Sequence, residues 1–107
     1  FMAVGSPGGS KIITTVFQVI TNVIEFKMPL TEAVHKPRFH FQWQPDTLYY
    51  EEDAFSEAFL KSLQEKGHRT KAKMKLDIGQ VEAILRLDNG KLEGVGDIRG
   101  DDDSKGF

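Results

Sequence analysis

Residues 1–16 read FMAVGSPGGSKIITTV and join a short apolar run to a long apolar segment through a glycine-rich turn. Residues 1–4 are typical of the end of a buried strand. Beyond the turn, apolar side chains recur in adjacent pairs at helical spacing. These are Ile12, Ile13, Val16, Phe17, Val19, Ile20, Val23 and Ile24. A strand of about 15 residues would far exceed the usual strand length. The pattern therefore predicts a helix that Ser10 caps and that ends near Phe26, with its wide apolar stripe mostly buried.

The turn itself can offer backbone amides to an anion. Gly8 and Gly9 lack a Cβ, so they can adopt positive φ angles and let a ligand approach the main chain closely. The first N–H groups of a helix have no partner within it and can bind a phosphate, a carboxylate or an oxyanion. Ser10 separates Gly9 from Lys11, so the Walker phosphate motif is absent, and the dinucleotide glycine spacing is not met either. From these residues alone, an anion site and a plain tight connection both stay open.

The middle of the chain is predicted to form a short helix and a short strand, with an irregular segment between them. A short helix is expected over residues 31–36, where Pro37 stops it, and a short strand over residues 48–51. Residues 37–46 are expected to be extended and irregular. Three aromatic residues there are expected to pack on one side of the segment: Phe39, Phe41 and Trp43.

The last third carries clearer signals. Ser56 is a good N-cap for a third helix that Gly67 can close, with a hydrophobic staple between residues 55 and 60. In residues 70–76, lysines alternate with apolar side chains, which is typical of an edge strand. Asn89-Gly90 predicts a hairpin of strands 80–87 and 92–96. The side chains expected to face inward from the third helix are Phe59, Leu60 and Leu63. The element order predicts an α+β fold with mostly antiparallel sheet and three helices.

Composition narrows the classes of function. The 107 residues include 14 basic and 16 acidic side chains and are 39% hydrophobic and 28% charged. This balance favours neither disorder nor nucleic-acid binding, and the apolar helix is too interrupted to span a membrane. No cysteine is present, so thiol chemistry is excluded. His35, His40 and His68 form no short metal-ligand pair, and residues 101–103 are expected to be a solvated acidic tail. We expect no metal and no cofactor.

The longer string GSPGGSKIITTV, residues 5–16, followed by PRFHFQWQPD, residues 37–46, resembles the C-terminal part of γ-glutamyltranspeptidases. The resemblance runs through residues 32–34, the helix 56–67 and residues 94–107, and so covers essentially the whole chain. Two departures are Ile98, where the family's Asp-Pro-Arg places proline, and Phe41, where a second histidine is common. Asp97 and Arg99 match the rest of that Asp-Pro-Arg pattern, and we expect them to form an ion pair or another structural contact.

The resemblance implies an N-terminal-nucleophile hydrolase with an αββα sandwich, autoprocessed into a large and a small subunit. Such an enzyme cleaves γ-glutamyl amides such as glutathione through a threonine nucleophile and transfers the acyl group to water, an amino acid or a peptide. Gly8 and Gly9 match the two glycines whose amides form the family's oxyanion hole, and Ser6 and Pro7 are expected to contact substrate beside them. Family members are typically periplasmic, secreted or displayed at the cell surface.

Neither the family's N-terminal threonine nor its Ser-Ser pair occurs ahead of the glycine turn. We therefore expect residues 1–107 to be a single partial domain, the distal part of a small subunit, which is inactive alone and partners the large subunit and the upstream segment. Thr14 and Thr15 are expected to be ordinary helix residues, not substitutes for the nucleophile. Apolar surface shaped for absent partners would drive self-association. The alternative is a non-catalytic domain that keeps the fold and uses the turn to bind an anion or a partner.

Overall fold

A computed structural model describes residues 1–74 and 77–100. The elements, in chain order, are β1 (Met2–Gly5), α1 (Lys11–Ile24), α2 (Leu30–His35), β2 (Phe39–His40), β3 (Leu48–Glu51), α3 (Glu57–Glu65), β4 (Thr70–Lys73), β5 (Glu82–Arg86) and β6 (Leu92–Gly96). The predicted elements occur in the predicted order, and β2 is an additional short strand within the segment expected to be irregular. The predicted acidic tail and residues 75–76, the last two of the predicted edge strand, lie outside the described residues.

Within the described residues, the strands form two three-stranded sheets. The first has the order β1-β5-β6 and is antiparallel throughout, with Ala3 opposite Ile84 and Ile84 opposite Gly94. The second has the order β2-β3-β4, where β2 and β3 are antiparallel and β3 and β4 are parallel. The predictions of mostly antiparallel sheet, three helices and an edge position for β4 are confirmed.

The core lies where α1 and α2 pack on the first sheet. Its buried members are Val19, Val23, Leu30, Ala33, Val34, Val81, Ala83 and Val95. Met2, Val4, Met28 and Leu85 pack against them from partly buried positions. This apolar cluster holds together β1 and α1, the two elements that the glycine turn connects.

Local signals set the ends of α3 and of the hairpin. The Phe59 amide donates to Ser56 Oγ at 3.2 Å, so the predicted N-cap is confirmed. Gly67 has a φ of +92° and follows the last turn of the helix, where the His68 amide donates to the Leu63 carbonyl at 3.0 Å. Gly90 has a φ of +83° in the turn between β5 and β6, as the Asn89-Gly90 signal predicts.

Four expectations about burial and capping are wrong. The apolar stripe of α1 is not mostly buried, since Ile13 is 76% and Phe17 66% exposed. Ser10 makes no side-chain cap, because its own backbone is already helical and its hydroxyl bonds elsewhere. Trp43 is 73% exposed and does not pack as expected. No residue of α3 is buried, so its predicted inward face is only half covered.

Candidate functional site

The glycine turn presents its amides to solvent. Gly8 and Gly9 have φ angles of +130° and +59°, which side chains other than glycine rarely allow. Their carbonyls face the helix and accept from the amides of Lys11 and Ile12, each at 3.1 Å. Within residues 1–74 and 77–100, the amides of Gly8 and Gly9 donate no hydrogen bond. The turn thus uses its acceptors internally and leaves two adjacent donors exposed at a helix N-terminus.

Space is open around Gly9. A Cβ added there would meet no atom within 4 Å, and one added at Gly8 would reach only Lys11 Cβ at 3.6 Å and Gly79 Cα at 4.0 Å. Glycine is therefore required at these positions for its backbone conformation, and no neighbouring group of the chain crowds them.

Ser6 anchors the turn from the β1 side. Its hydroxyl donates to the Pro7 carbonyl at 2.8 Å and accepts from the Gln80 amide at 3.0 Å. The structure thus brings Ser6 and Pro7 beside the two glycines, with Pro7 exposed and the Ser6 hydroxyl bonded within the protein. A cavity of about 270 Å³ adjoins the turn. It is lined by Pro7, Gly8, Lys11, Asp77, Gly79 and Gln80.

Gly79 packs directly beneath the turn. A Cβ at this position would lie 2.6 Å from both Thr15 Cγ2 and Thr15 Oγ1 and 3.0 Å from Ser6 Oγ. Its φ of +71° also favours glycine. Thr15 is fully buried, and its hydroxyl has no hydrogen-bond partner among the described residues. Close backbone approach at Gly79 therefore brings the segment before β5 against both α1 and β1.

A buried ion cluster lies behind this segment. It consists of Arg38, Glu51, Asp97 and Arg99, all at most 2% exposed. Arg99 holds Glu51 through two contacts of 2.6 Å and bonds Asp97 at 2.9 Å, while Arg38 pairs with Asp97 at 2.8 Å. Two cations meet two carboxylates, so the formal charges cancel. The predicted contact between Asp97 and Arg99 is confirmed.

The surroundings of the cluster shift its ionisation. Burial by itself raises the pKa of Asp97, but the bond from the Val81 amide and the charge of Arg38 outweigh it and leave the pKa lowered. For Arg99, burial lowers the pKa, while the bonds to Glu51 and Asp97 outweigh it and leave the pKa raised. Burial and the nearby Arg99 charge lower the pKa of Arg38. The lowered pKa of Asp97 therefore favours its ionised form.

The cluster also fastens the segment that supports the turn. Asp97 Oδ2 accepts from the Val81 amide at 2.8 Å, and an Arg38 amino group donates to the Ile78 carbonyl at 3.1 Å. Gln80, between these two points, donates its amide to Ser6. Arg38 and Glu51 had no predicted role. In the sequence, each of them is a charged residue inside an otherwise extended or apolar stretch. That pattern does not identify the partner of the charge.

Across the described part of the chain, no group of three or more His, Cys, Asp or Glu side chains is placed to hold an ion. In the same residues, no helix is both long and apolar enough to cross a bilayer.

Comparison with known proteins identifies the family. The sequence profile described as Gamma-glutamyltranspeptidase matches residues 1–107. The glutathione hydrolase proenzyme of Escherichia coli K12 is 43% identical over 103 residues, which are 96% of this chain and 17% of that protein. The corresponding proenzyme of Pseudomonas aeruginosa is 39% identical over 92% of this chain and 18% of its own length. The chain thus spans less than a fifth of these curated relatives.

Solved structures agree with this assignment. A mutant γ-glutamyltranspeptidase from Helicobacter pylori superposes with a TM-score of 0.84 at 44% identity, covering 94% of this chain and 54% of that one. The enzyme from Pseudomonas nitroreducens in complex with L-DON gives a TM-score of 0.87 at 34% identity, covering 99% and 55%. The expected α+β, N-terminal-nucleophile hydrolase fold is confirmed. With the profile matched from end to end, the chain belongs to the γ-glutamyltranspeptidase family.

Proposed function

We propose that this chain is the part of a γ-glutamyltransferase/hydrolase that supplies the oxyanion hole, through the amides of Gly8 and Gly9. The observation that carries the proposal is the pair of adjacent, exposed N–H groups that donate to no described residue of the chain. Family membership gives these donors a chemical purpose, since acyl transfer passes through a tetrahedral intermediate with a negative oxygen. Ser6 and Pro7 would line the substrate beside them, and no cofactor takes part.

The proposed reaction proceeds in two steps of the same kind. A threonine hydroxyl, supplied by a segment outside this chain, attacks the γ-glutamyl carbonyl carbon and gives its proton to an amine. The carbonyl electron pair moves to the oxygen, where the two glycine amides stabilise it. Collapse breaks the C–N bond, and the leaving nitrogen takes the proton from that amine, so the substrate's amine departs, such as the cysteinylglycine portion of glutathione, and a γ-glutamyl ester remains. Water or an acceptor amine then attacks the ester, and the threonine is regenerated.

A substitution at Gly9 tests this role with an internal control. A Cβ there meets nothing in the chain, so Gly9→Ala costs only the strain of a positive φ, about 1–2 kcal/mol. Gly90→Ala carries the same kind of strain in open space in the β5–β6 turn. Alanine keeps the N–H, but it disfavours the φ of +59° that directs this donor. In the full-length protein, we therefore expect Gly9→Ala to lower kcat on a γ-glutamyl anilide, by up to the roughly 100- to 1,000-fold that complete loss of an oxyanion donor costs. Gly90→Ala should leave kcat nearly unchanged. Equal effects of the two variants would contradict the proposal.

The alternative of a non-catalytic anion-binding domain gives a different result in the same assay. A full-length protein without turnover, whose Gly9→Ala variant loses affinity for inorganic phosphate, would favour it. The 107-residue chain alone is expected to be inactive, because the threonine is not among its residues ahead of the turn.

We propose further that residues 1–107 form one partial domain, which packs on the large subunit and an upstream segment of the same precursor. Support comes from α1, which buries Val19 and Val23 on one side yet leaves Ile13 and Phe17 exposed on another. A helix that carries apolar side chains on several sides is typically enclosed between layers of other secondary-structure elements. We also propose that the whole protein acts in the periplasm, at the cell surface or after secretion, which cell fractionation would test.

The open face of α1 should make the isolated chain associate with itself. Light scattering of the 107-residue chain at increasing concentration measures this, and Ile13→Gln with Phe17→Gln should shift the distribution toward monomer. A concentration-independent monomer in the unaltered chain would contradict the proposal.

A further inference from the structure

The N-terminus of α1 is tied to the segment after β2 by side-chain hydrogen bonds. The Ser10 hydroxyl donates to Gln42 Oε1 at 2.7 Å. The same oxygen lies 2.7 Å from His40 Nε2, and Gln42 Nε2 donates to the Gln44 carbonyl at 2.7 Å. A single amide side chain therefore connects the residue next to Gly9 with a buried histidine.

The directions of these bonds are determined by the groups involved. An amide oxygen only accepts, so both the Ser10 hydroxyl and His40 Nε2 donate to Gln42. The Gln42 amide cannot be reversed, since its nitrogen must face the Gln44 carbonyl. His40 is 1% exposed, and its Nδ1 lies 2.6 Å from Thr14 Oγ1 on α1. Gln42 is thus oriented by a ring that is itself fixed to the helix.

Few other contacts restrain this side of the turn. Gly9 has open space where a Cβ would stand, and Ser10 is exposed. Ser10 is helical, with φ −61° and ψ −21°, and its hydroxyl makes no cap within α1. Its bond to Gln42 is therefore the side-chain contact that holds the residue directly after Gly9. On the other side, Ser6 performs the corresponding task through Gln80.

We propose that Gln42 is a positioning residue for the amide of Gly9. It holds Ser10, and through the Gly9–Ser10 peptide it restrains the backbone angles of Gly9 and so the direction of the Gly9 N–H. The inference rests on the proposed oxyanion role of the turn. An exposed hydrogen bond of this kind adds little to stability, whereas a small displacement of a donor weakens transition-state stabilisation much more than substrate binding. The effect should therefore fall on kcat and not on KM.

The test uses the full-length protein and a γ-glutamyl anilide. Gln42→Leu and Ser10→Ala should each lower kcat about tenfold, a fraction of the loss for a missing donor, with KM changed less than about twofold. Ser10→Thr keeps the hydroxyl and should retain kcat. The double variant should be no slower than the slower single variant, because both changes break the same contact. Gln64→Leu is the matched control, since it removes an exposed glutamine bond to Thr70 at the far end of α3.

The outcomes separate this inference from the proposed function. An inactive unaltered protein overturns the oxyanion proposal and the positioning role with it. An active protein whose Ser10→Ala and Gln42→Leu variants keep the original kcat, or change only KM, overturns the positioning role alone. Ser10→Ala removes one exposed hydroxyl, so it remains informative even if Gln42→Leu disturbs folding. Equal losses in Gln64→Leu would also overturn the inference.

Discussion

Glu51→Gln is predicted to be among the most damaging single substitutions in this chain. The Glu51 carboxylate is fully buried and accepts from Arg99 Nε and an Arg99 amino group, each at 2.6 Å. It also accepts from the Arg38 amide at 3.1 Å. Glutamine has nearly the same shape but no charge. It would place an NH₂ group opposite a donor whichever way the amide turned.

The magnitude follows from the charge balance of the cluster. With Glu51 neutral, two arginines face only Asp97, so one net positive charge remains buried. Removing one partner of a buried ion pair costs about 3–5 kcal/mol. Domains of this size have a total stability of about 5–15 kcal/mol, so the variant should be marginally folded. With a urea m-value of about 1.5 kcal/mol per M, the midpoint should fall by about 2–3 M.

Urea denaturation of the 107-residue chain at low protein concentration, followed by circular dichroism, measures this shift. Glu52→Gln is the matched control, because Glu52 is the exposed neighbour on the same segment, and surface changes usually stay within about 0.5 kcal/mol. Adding Arg99→Met to Glu51→Gln restores neutrality and should cost less than the sum of the single changes. A loss below about 1 kcal/mol for Glu51→Gln would refute the reasoning.

Two further predictions concern the same region. Because the pKa of Asp97 is lowered in the folded chain, its stabilising contribution should be complete above its unfolded pKa of about 3.9 and lost as pH falls through the lower folded value. Urea midpoints between pH 2 and pH 7 should show this acid loss, and Asp97→Asn should remove part of it; an unchanged pH dependence would contradict the assignment. Gly79→Ala should cost about 2–4 kcal/mol, from a Cβ at 2.6 Å from Thr15 and a positive φ. Gly90→Ala, with open space, should cost about 1 kcal/mol, and equal thermal shifts would argue against close packing at Gly79.

The parts of the fold that could be predicted are those with local causes. Ser56 caps α3 through the amide three residues later, and Gly67 ends the same helix. Asn89-Gly90 specifies the turn of the hairpin within two residues. In each case the sequence contains both the group that needs a partner and the partner itself, so composition and spacing are sufficient.

The errors concern residues whose partners are distant in sequence. Ser10 has the side chain of an N-cap, but its hydroxyl bonds Gln42, 32 positions away. The apolar periodicity of α1 identifies a helix correctly, yet it cannot say which surface covers Ile13 and Phe17. The ion cluster joins residues 38, 51, 97 and 99, which come from three separate segments. A charged residue in an extended stretch gives no hint of such a partner.

The same distinction explains why the glycine turn is ambiguous in sequence and specific in structure. Glycine as a residue type permits the positive φ angles at Gly8 and Gly9. Whether their amides stay free to donate depends on the rest of the chain, which must not supply an acceptor to them. Ser6 is held by Gln80, Ser10 by Gln42, and the carbonyls of the turn by the first helical amides. Each of these contacts satisfies a group beside the turn without using the amides of Gly8 and Gly9. A mere connection between β1 and α1 would need none of the long-range anchors, so their convergence on one short turn favours a role in which the direction of two N–H groups matters.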